Sequence, residues 1–353
     1  NDHSASISIQ NGFDATHGVH SVHIPLKGTL KAFKSSENWR IQGDTLQVQG
    51  ANFKLPLDLS ISNLFHAPTV VFKAQGQLLH IEKLVSKLVP FFKKDSAIGY
   101  ASESIVSWPE AQLNAQYQGP LNLSDFYKGL VLSINGRDLR YRPSKNYGSF
   151  AKLQAQIDYK QNALNIRAKN DDLNLNSLMI KNLQASIKDL NQDHTHIRLE
   201  ADLYSKNIDA ATLYIRHSPL KSETGSLFDW LEFSGPFNGH IQLDAPLSQW
   251  QQGQSYKSTI WFKNNTMRLA PYPKAKLIDM QGALDINGEH ISMPTLKGSL
   301  AGRPFALSIS TDNDAHFTHH VSAESYFNSA WLNSPSTASM FQGIAPFSAQ
   351  MDI

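Results

Sequence analysis

Histidines are the side chains of this sequence whose spacing comes closest to a chemical site. They form three clusters: His17, His20 and His23; His194 and His196; and His316, His319 and His320. In a strand, the middle pair would share one face, a spacing compatible with metal ligation. No matched carboxylate or third ligand accompanies that pair in the sequence. We therefore expect solvated surface or turn histidines and no bound metal.

Other residues of catalytic type lack the pattern that catalysis requires. Asp171 and Asp172 lie among Asn and Lys residues, which is typical of a polar loop rather than of paired acids. Ser299 stands in the wrong place within the segment 298–302 for a nucleophile elbow, and the glycine-rich phosphate-binding patterns are absent. The sequence predicts no catalytic residue, no cofactor and a protein that is not an enzyme.

Composition restricts the partners and the compartment. Lys and Arg number 32 against 30 Asp and Glu, so no net positive field attracts nucleic acid. Hydrophobic residues make up 41% of the 353 residues, enough to exclude a disordered polyelectrolyte. Cysteine is absent, which excludes disulfides and cysteine-ligated metals and fits an oxidising compartment such as a bacterial periplasm.

The ends of the sequence indicate a piece of a longer protein. It begins at Asn1 without Met and stops at Ile353 within an alternating pattern. No stretch reaches the roughly 20 apolar residues needed to cross a bilayer. We expect an internal segment, with any signal or membrane anchor outside it.

Alternation of apolar and polar residues with period two dominates the chain. Phe53, Leu55, Leu57 and Leu59 alternate with polar residues or proline, and the same pattern returns many times up to Phe305, Leu307 and Ile309. Because side chains of a strand point alternately to opposite faces, each run has one apolar and one water-facing side. Three pairs are typical of hairpin turns: Asn135–Gly136, Asn264–Asn265 and Asn287–Gly288.

Two segments depart from this alternation. Residues 80–92 carry Ile81, Leu84, Val85 and Leu88 at the spacing of an amphipathic helix, which Pro90 ends or bends. Residues 222–233 contain Trp230 and Phe233 before a Ser-Gly-Pro stop signal, and predict a second helix. We expect both helices to pack against the sheet.

Short phrases recur in the same order along the chain. Residues 236–243 match residues 346–353, and residues 139–143 match residues 267–271. The unit is a helix or helical turn, a proline and a meander of strands. Repetition of a unit this long predicts an array whose neighbours share one sheet or core.

Several of these phrases resemble a known family. Residues 218–222, 228–231 and 234–244, followed by 262–269 and 296–305, are similar to AsmA-like proteins, in particular the large YhdP/TamB branch. The likeness extends from about Pro109 to Asp312. The resemblance implies proteins anchored in the inner membrane of Gram-negative bacteria, whose long periplasmic part is a β-stranded trough that carries phospholipids toward the outer membrane. It also implies kinship with the bridge-like lipid transfer proteins of eukaryotes.

With the resemblance, the expected fold is mainly β: an elongated, twisted antiparallel sheet curled into an apolar groove (a β-taco), with a few short amphipathic helices. Around twenty strands would give a sheet on the order of 90–100 Å long. The expected organisation is a β-groove segment at 1–79, a helix and linker at 80–107, β-groove repeats at 108–217 and 218–335, and a truncated repeat from 336 to 353.

The predicted groove lining is the set of inward-facing residues on the alternating runs. It comprises Phe53, Leu55, Leu57, Leu59, Phe72, Leu113, Tyr117, Leu132, Ile134, Leu153, Ile157, Leu164, Ile166, Leu199, Leu203, Ile241, Leu243, Ile260, Phe262, Leu284, Ile286, Leu307 and Ile309. The residues predicted to cover the groove from the helices are Ile81, Leu84, Val85, Leu88, Trp230 and Phe233.

The expected function is a periplasmic segment that carries glycerophospholipids between the inner and outer membranes. Further expected partners are the inner membrane, through an anchor outside this piece, and periplasmic or outer-membrane proteins. Alternation alone does not distinguish an open trough from the closed core of a sandwich or barrel. A β-repeat scaffold that guides outer-membrane proteins by strand addition at sheet edges is the alternative function.

Overall fold

A computed structural model describes residues 4–17, 20–35, 38–88, 103–121, 126–142, 149–170, 178–188, 190, 196–209, 231–246, 255–269, 272–288, 290–300, 302–312, 318–328 and 344–352. Within these residues the chain is almost entirely stranded. The strands are β1 (Ser4–Ile9), β2 (Phe13–His17), β3 (His20–Ile24), β4 (Leu26–Ser35), β5 (Asn38–Gly50), β6 (Phe53–Ser62), β7 (Thr69–Leu79), β8 (Ile105–Ser107), β9 (Glu110–Pro120), β10 (Leu130–Tyr141), β11 (Phe150–Lys160), β12 (Ala163–Lys169), β13 (Met179–Ile187), β14 (His196–Ser205), β15 (Leu231–Ser234), β16 (Phe237–Pro246), β17 (Ser255–Leu269), β18 (Tyr272–Asn287), β19 (His290–Leu300), β20 (Arg303–Thr311), β21 (His319–Asn328) and β22 (Ile344–Asp352). The helices are α1 (Ile81–Leu88) and α2 (Phe126–Gly129).

Twenty of the described strands form one antiparallel sheet, which the chain builds as a meander. Each long strand pairs with the next long strand along the chain, from β4 to β22, and β1 adds to the outer edge of β4. β8 and β15 lie end to end with β9 and β16 along a shared partner, so eighteen strands add to the width, and at about 4.8 Å per strand the sheet extends about 80 Å across them. β2 and β3 form a separate hairpin. The predicted mainly β fold with one elongated antiparallel sheet is confirmed, and the sheet is not closed.

Two short strands interrupt the meander at equivalent places. β8 pairs with the end of β10 and precedes Pro109, and β15 pairs with the end of β17 and precedes Pro236. In each case a long strand follows the proline and pairs with the first part of the same partner. β9–β14 and β16–β21 are therefore two meanders of six strands each, built in the same way.

β-Bulges bend the long strands in their interior. Thr45, Asp138, Lys152, Asn264 and Asp279 have positive φ between 53° and 59°, and register shifts lie at or beside them. A bulge adds one residue to a strand, which bends it and increases its local twist. The bulges of β10 and β11 lie side by side, as do those of β17 and β18, so each pair bends the sheet at one place.

Two of the three predicted hairpin turns are wrong. Asn135–Gly136 lies inside β10 and Asn264–Asn265 inside β17, where the asparagine pair forms the bulge of the strand. Both segments keep their pairing to neighbouring strands on each side, so the chain does not reverse there. The third prediction is confirmed, since Asn287 ends β18 and Gly288, with φ of 59°, begins the turn to β19.

The first predicted helix is confirmed over Ile81–Leu88, and residues 89–92 lie outside the described residues. The second is wrong where it can be compared. Leu231–Ser234 is strand β15, because its backbone pairs residue by residue with Leu269–Thr266 of β17. Phe233 therefore belongs to the sheet and not to a covering helix. Residues 222–230, with Trp230, lie outside the described residues, as do Asp171 and Asp172.

The ends of the strands form the two long rims of the sheet. The helix rim is the side where β7 ends, β9 begins and α1 lies. The opposite rim is the side where β9 ends and β10 begins. Successive antiparallel strands start at one rim and end at the other, so every long strand contributes to both.

Candidate functional site: an apolar groove

Paired positions on neighbouring strands carry apolar side chains on the same face of the sheet. Leu113 of β9 pairs with Ile134 of β10, which pairs with Ile157 of β11, which pairs with Ile166 of β12. Directly paired residues of antiparallel strands lie on the same side of the sheet. One row of apolar side chains thus crosses four strands without a break.

The register places every residue of the predicted lining on this face. By strand these are Phe53, Leu55, Leu57 and Leu59 (β6), Phe72 (β7), Leu113 and Tyr117 (β9), Leu132 and Ile134 (β10), Leu153 and Ile157 (β11), Leu164 and Ile166 (β12), Leu199 and Leu203 (β14), Ile241 and Leu243 (β16), Ile260 and Phe262 (β17), Leu284 and Ile286 (β18), and Leu307 and Ile309 (β20). The structure brings all of them together on one side of one sheet.

Burial differs between the bend and the two flanks of this face. Beside the bulges, Leu153 is 1% exposed, Phe262 8% and Met280 0%. Away from the bulges, most lining residues, such as Leu132, Leu199 and Ile286, are only half-buried. We call the buried part the floor and the half-buried parts the walls of the groove. A dry closed core would bury the walls as completely as the floor.

Aromatic rings widen the apolar surface at two places. Phe72 and Tyr117 stack with ring centroids 5.8 Å apart, and the Tyr117 hydroxyl donates to the carbonyl oxygen of Pro120 at 2.5 Å. Phe233 and Phe262 stack at 6.1 Å. Because the tyrosine hydroxyl is hydrogen-bonded to backbone, it adds no unpaired polar group to the lining.

Helix α1 packs on the apolar face near the helix rim. Ile81 is 3% exposed and lies in one cluster with Leu78 and Trp108, against which Leu84 and Val85 also pack. Glu82 on the same helix accepts a hydrogen bond from the backbone N–H of Trp108 at 2.9 Å. This contact ties α1 to the segment that leads into β9. Ile81, Leu84 and Val85 therefore pack against the sheet, whereas the side chain of Leu88 lies outside the described part.

A few polar side chains lie buried on the apolar face, and backbone groups satisfy them. Asn265 is 0% exposed; its Nδ2 donates to the carbonyl oxygen of Pro236 at 2.7 Å, and its Oδ1 accepts from the N–H of Lys263 at 2.7 Å. Ser205 accepts from the N–H of Asn207, and Ser325 donates to the carbonyl oxygen of Pro304. These groups therefore fix strand ends and bulges without presenting open polar sites to the groove.

The outer face carries the charged side chains, including a histidine that the sequence left without a partner. His196 Nδ1 lies 2.8 Å from Asp244 Oδ1, and Arg198 Nε donates to Asp244 Oδ2 at 2.9 Å. The hydrogen bond with His196 and the neighbouring Arg198 hold the pKa of Asp244 below its usual range, against a smaller opposing effect of burial. Asp244 lies 48 residues further along the chain, so spacing in the sequence does not reveal this partner of His196. His194, the other member of the predicted pair, lies outside the described residues.

Hollows also occur on this outer face. One of about 660 Å³ lies over β12–β17 and is lined by polar side chains such as Gln184, Glu200 and Gln242. Among the described residues, no group of three His, Asp or Glu side chains is placed to hold a metal ion. No helix within the described part of the chain is long and apolar enough to cross a membrane.

Comparison with known sequences decides the family. The profile of the YhdP protein family matches residues 145–353, more than half of this chain. The chain belongs to the YhdP family. A member from Escherichia coli (strain K12), the intermembrane phospholipid transporter YhdP, is 22% identical over 179 residues. That match covers 51% of this chain but only 14% of the E. coli protein. No solved structure matches the chain.

Within this YhdP-family chain, several floor residues were missed by sequence reasoning. Leu78, Trp108, Met293 and Leu296 are all buried on the apolar face. Leu78 continues the alternation of β7 and could have been found from it. Met293 and Leu296 are separated by a bulge that shifts the alternation by one residue, so period two alone does not assign both to one face.

Proposed function

We propose that this chain is a periplasmic segment of a bridge-like phospholipid transporter, in which acyl chains lie on the apolar face of the sheet. A single observation carries the proposal: one continuous apolar face crosses the sheet, and most residues of its walls are half-buried, whereas a closed core would bury them fully. The relative named as an intermembrane phospholipid transporter supports phospholipid as the cargo.

The physical requirement of such a carrier is an uninterrupted apolar path. Each CH₂ group removed from water gains about 0.8 kcal/mol, so a gap in the lining would be a barrier along the path. The apolar rows continue across the junction between the two six-strand meanders, where Leu199 of β14 pairs with Leu243 of β16. Lipids would move by passive partition from one strand position to the next, and no reaction step is required.

The same proposal includes the location and the organisation of the chain. In this proposal the chain lies in the periplasm of a Gram-negative bacterium, in a protein that is anchored in the inner membrane. The β-groove repeats at 108–217 and 218–335 add length to the bridge, and the segment 336–353 begins the next repeat. The scaffold alternative is less favoured, because the relative is named as a transporter of phospholipid.

The test is native mass spectrometry of the 353-residue chain purified from a Gram-negative host under mild detergent-free conditions. We expect adducts with the mass of glycerophospholipids, which organic extraction removes and incubation with phospholipid vesicles restores. A chain that is folded by circular dichroism but carries and takes up no phospholipid would rule the proposal out.

A further inference from the structure

The connections that lead into the two six-strand meanders enter the groove from the helix rim in the same way. After β7, the backbone N–H of Ile81 donates to the carbonyl oxygen of Trp108, just before the proline that leads into β9, at 3.0 Å. After β14, the N–H of Ile208 donates to the carbonyl oxygen of Gly235, just before the proline that leads into β16, at 2.8 Å. The two isoleucines are 3% and 5% exposed. A contact built twice in equivalent places is a property of the repeat.

Both isoleucines cover the floor from the helix-rim side. Ile81 lies in one buried cluster with Leu139, Leu153 and Ile180, which belong to β10, β11 and β13. These three floor residues are 6%, 1% and 1% exposed. Ile208 lies in a corresponding cluster of the second meander. In the first meander, the chain itself therefore fills the floor on the helix-rim side and leaves little apolar surface there for a ligand.

The wall on the other side of the bulges is open in three neighbouring strands of the first meander. Its inward residues are all half-buried: Leu132 and Ile134 (β10), Ile157 and Tyr159 (β11), and Leu164 and Ile166 (β12). In β13 and β14 this wall is covered, because Leu190 packs on it. The accessible apolar surface of β10–β12 therefore lies between the bulges and the opposite rim.

The two sides of the bend also differ in length. In β11 the bulge at Lys152 is eight residues from Lys160 at the opposite rim and two residues from Phe150 at the helix rim. At about 3.3 Å per residue, these distances are about 26 Å and about 7 Å. The hydrocarbon layer of one bilayer leaflet is about 15 Å thick, half of the bilayer core. An acyl chain therefore fits along the longer side of β11 and not along the shorter one.

Tyrosines with an apolar ring and a polar end lie near the opposite rim. Tyr159, one residue before the end of β11, faces inward because it pairs with Leu132 and Leu164. Tyr256, the second residue of β17, also faces inward. Such side chains suit a boundary between hydrocarbon and water. At the helix rim, Tyr141 ends β10 and packs instead against the buried cluster of Ile81.

From these observations we infer that phospholipids lie across the first meander in one orientation. The acyl chains lie against the wall between the bulges and the opposite rim, and the glycerophosphate group lies at that rim. The inference rests on the proposed function, because it concerns lipid seated in the groove. It follows from the burial and the length of the two sides, so the same orientation is expected for neutral and for anionic headgroups.

The experiment places one fluorophore at either rim and a nitroxide quencher on the lipid. Because the chain has no cysteine, Lys160→Cys and Lys169→Cys each create one labelling site. Both lysines are exposed; Lys160 ends β11 at the opposite rim, and Lys169 ends β12 at the helix rim. Each labelled chain is loaded from vesicles of phosphatidylcholine that carries the nitroxide either on the choline headgroup or near the end of one acyl chain.

The headgroup nitroxide should quench the fluorophore at position 160 roughly threefold more than the one at position 169, because the rims are about 33 Å apart along β11. The nitroxide at the chain end should reverse this order, since Lys169 pairs with Gln154 beside the floor residue Leu153. Circular dichroism and the amount of bound lipid, measured by mass spectrometry, should be equal for the two labelled chains.

The outcomes separate this inference from the proposed function. If the wild-type chain takes up no phospholipid, the proposed function fails. If lipid binds and the headgroup nitroxide quenches both positions equally, or quenches position 169 more strongly, the single orientation is overturned while the proposed function stands. A chain-end nitroxide that quenches position 160 more strongly than position 169 would likewise overturn it, because the acyl chains would then not reach the floor.

Discussion

The side chain of Asn265 and the backbone of Pro236 are joined by a hydrogen bond of 2.7 Å, although 29 residues separate them in the chain. Pro236 stands where β15 has ended and β16 begins, and Asn265 follows the bulge at Asn264 in β17. The same amide also reaches the carbonyl oxygen of Ser234, and its oxygen accepts from the N–H of Lys263. One side chain therefore holds three backbone groups, two at the junction of β15 and β16 and one in β17, at the bend of the sheet.

Replacing Asn265 with Leu should destabilise the chain by about 2–4 kcal/mol, because the buried carbonyl of Pro236 and the N–H of Lys263 would lose their partner. Chemical denaturation followed by circular dichroism measures the loss. Asn264→Gly is the matched control, since Asn264 is exposed and has positive φ, and we expect a change below about 0.5 kcal/mol. Equal losses in both variants would contradict the role assigned to Asn265.

Gly136 should tolerate no side chain. A Cβ atom there would lie 2.5 Å from the carbonyl oxygen of Glu110 and 2.6 Å from Nε1 of Trp108, which is fully buried. Gly136→Ala should therefore lower the free energy of unfolding by about 2–3 kcal/mol through overpacking. Gly288→Ala, at a turn with open space around the Cβ position, should cost about 1 kcal/mol from its positive φ alone. Thermal unfolding of the two variants should reproduce this order, and the reverse order would show that backbone conformation outweighs packing.

The face that each strand residue occupies could be predicted from the sequence, because period two is a property of strand geometry itself. Ile157, Leu199 and Ile241 all lie on the predicted face. The bends could not be predicted in this way. Asn264–Asn265 has the composition of a hairpin turn, and its actual role depends on backbone groups of Ser234 and Pro236 that are distant in the chain.

Some segments fit both the helical and the strand periodicity, and their secondary structure could not be predicted from the local sequence alone. Leu231 and Phe233 fit both a helical stripe and a short alternating strand. Pairing with Thr266–Leu269 decides in favour of the strand, and that partner lies more than thirty residues away. The contact between His196 and Asp244 could not be predicted for the same reason, since the register between β14 and β16 brings the two side chains together.

Asp244 should make stability depend on pH in the acidic range. Its pKa is lowered in the folded chain, first by the hydrogen bond with His196, so its contribution is present above the unfolded value near 3.8 and is lost as pH falls through the folded pKa. At pH 6, Asp244→Asn should be less stable than the wild type by about 0.5 kcal/mol, a small figure because the pair is partly exposed.

Urea denaturation at pH 6 and at pH 2.5 measures this dependence. The difference between wild type and Asp244→Asn should be smaller at the lower pH. Asp285→Asn serves as a control, since Asp285 accepts a hydrogen bond from Thr259 and forms no ion pair with the described cations. A difference for Asp244→Asn that is the same at pH 2.5 as at pH 6 would mean that the carboxylate acts through its shape and not through its charge.

Charge on the wall of the groove should block lipid while leaving the fold in place. Ile157 and Leu199 are half-buried on the apolar face, so an aspartate there can still reach water in the empty groove. Ile157→Asp and Leu199→Asp should reduce phospholipid uptake at least tenfold, because acyl chains would have to pass a charged group. Gln242→Asp is the matched control: Gln242 is exposed on the outer face beside Leu243, and its replacement should leave uptake unchanged. Uptake is measured by native mass spectrometry and folding by circular dichroism.

In a dry core the same substitutions would cost several kcal/mol and unfold the chain. Unfolded Ile157→Asp and Leu199→Asp variants, together with a lipid-free wild type, would identify the apolar face as a closed core.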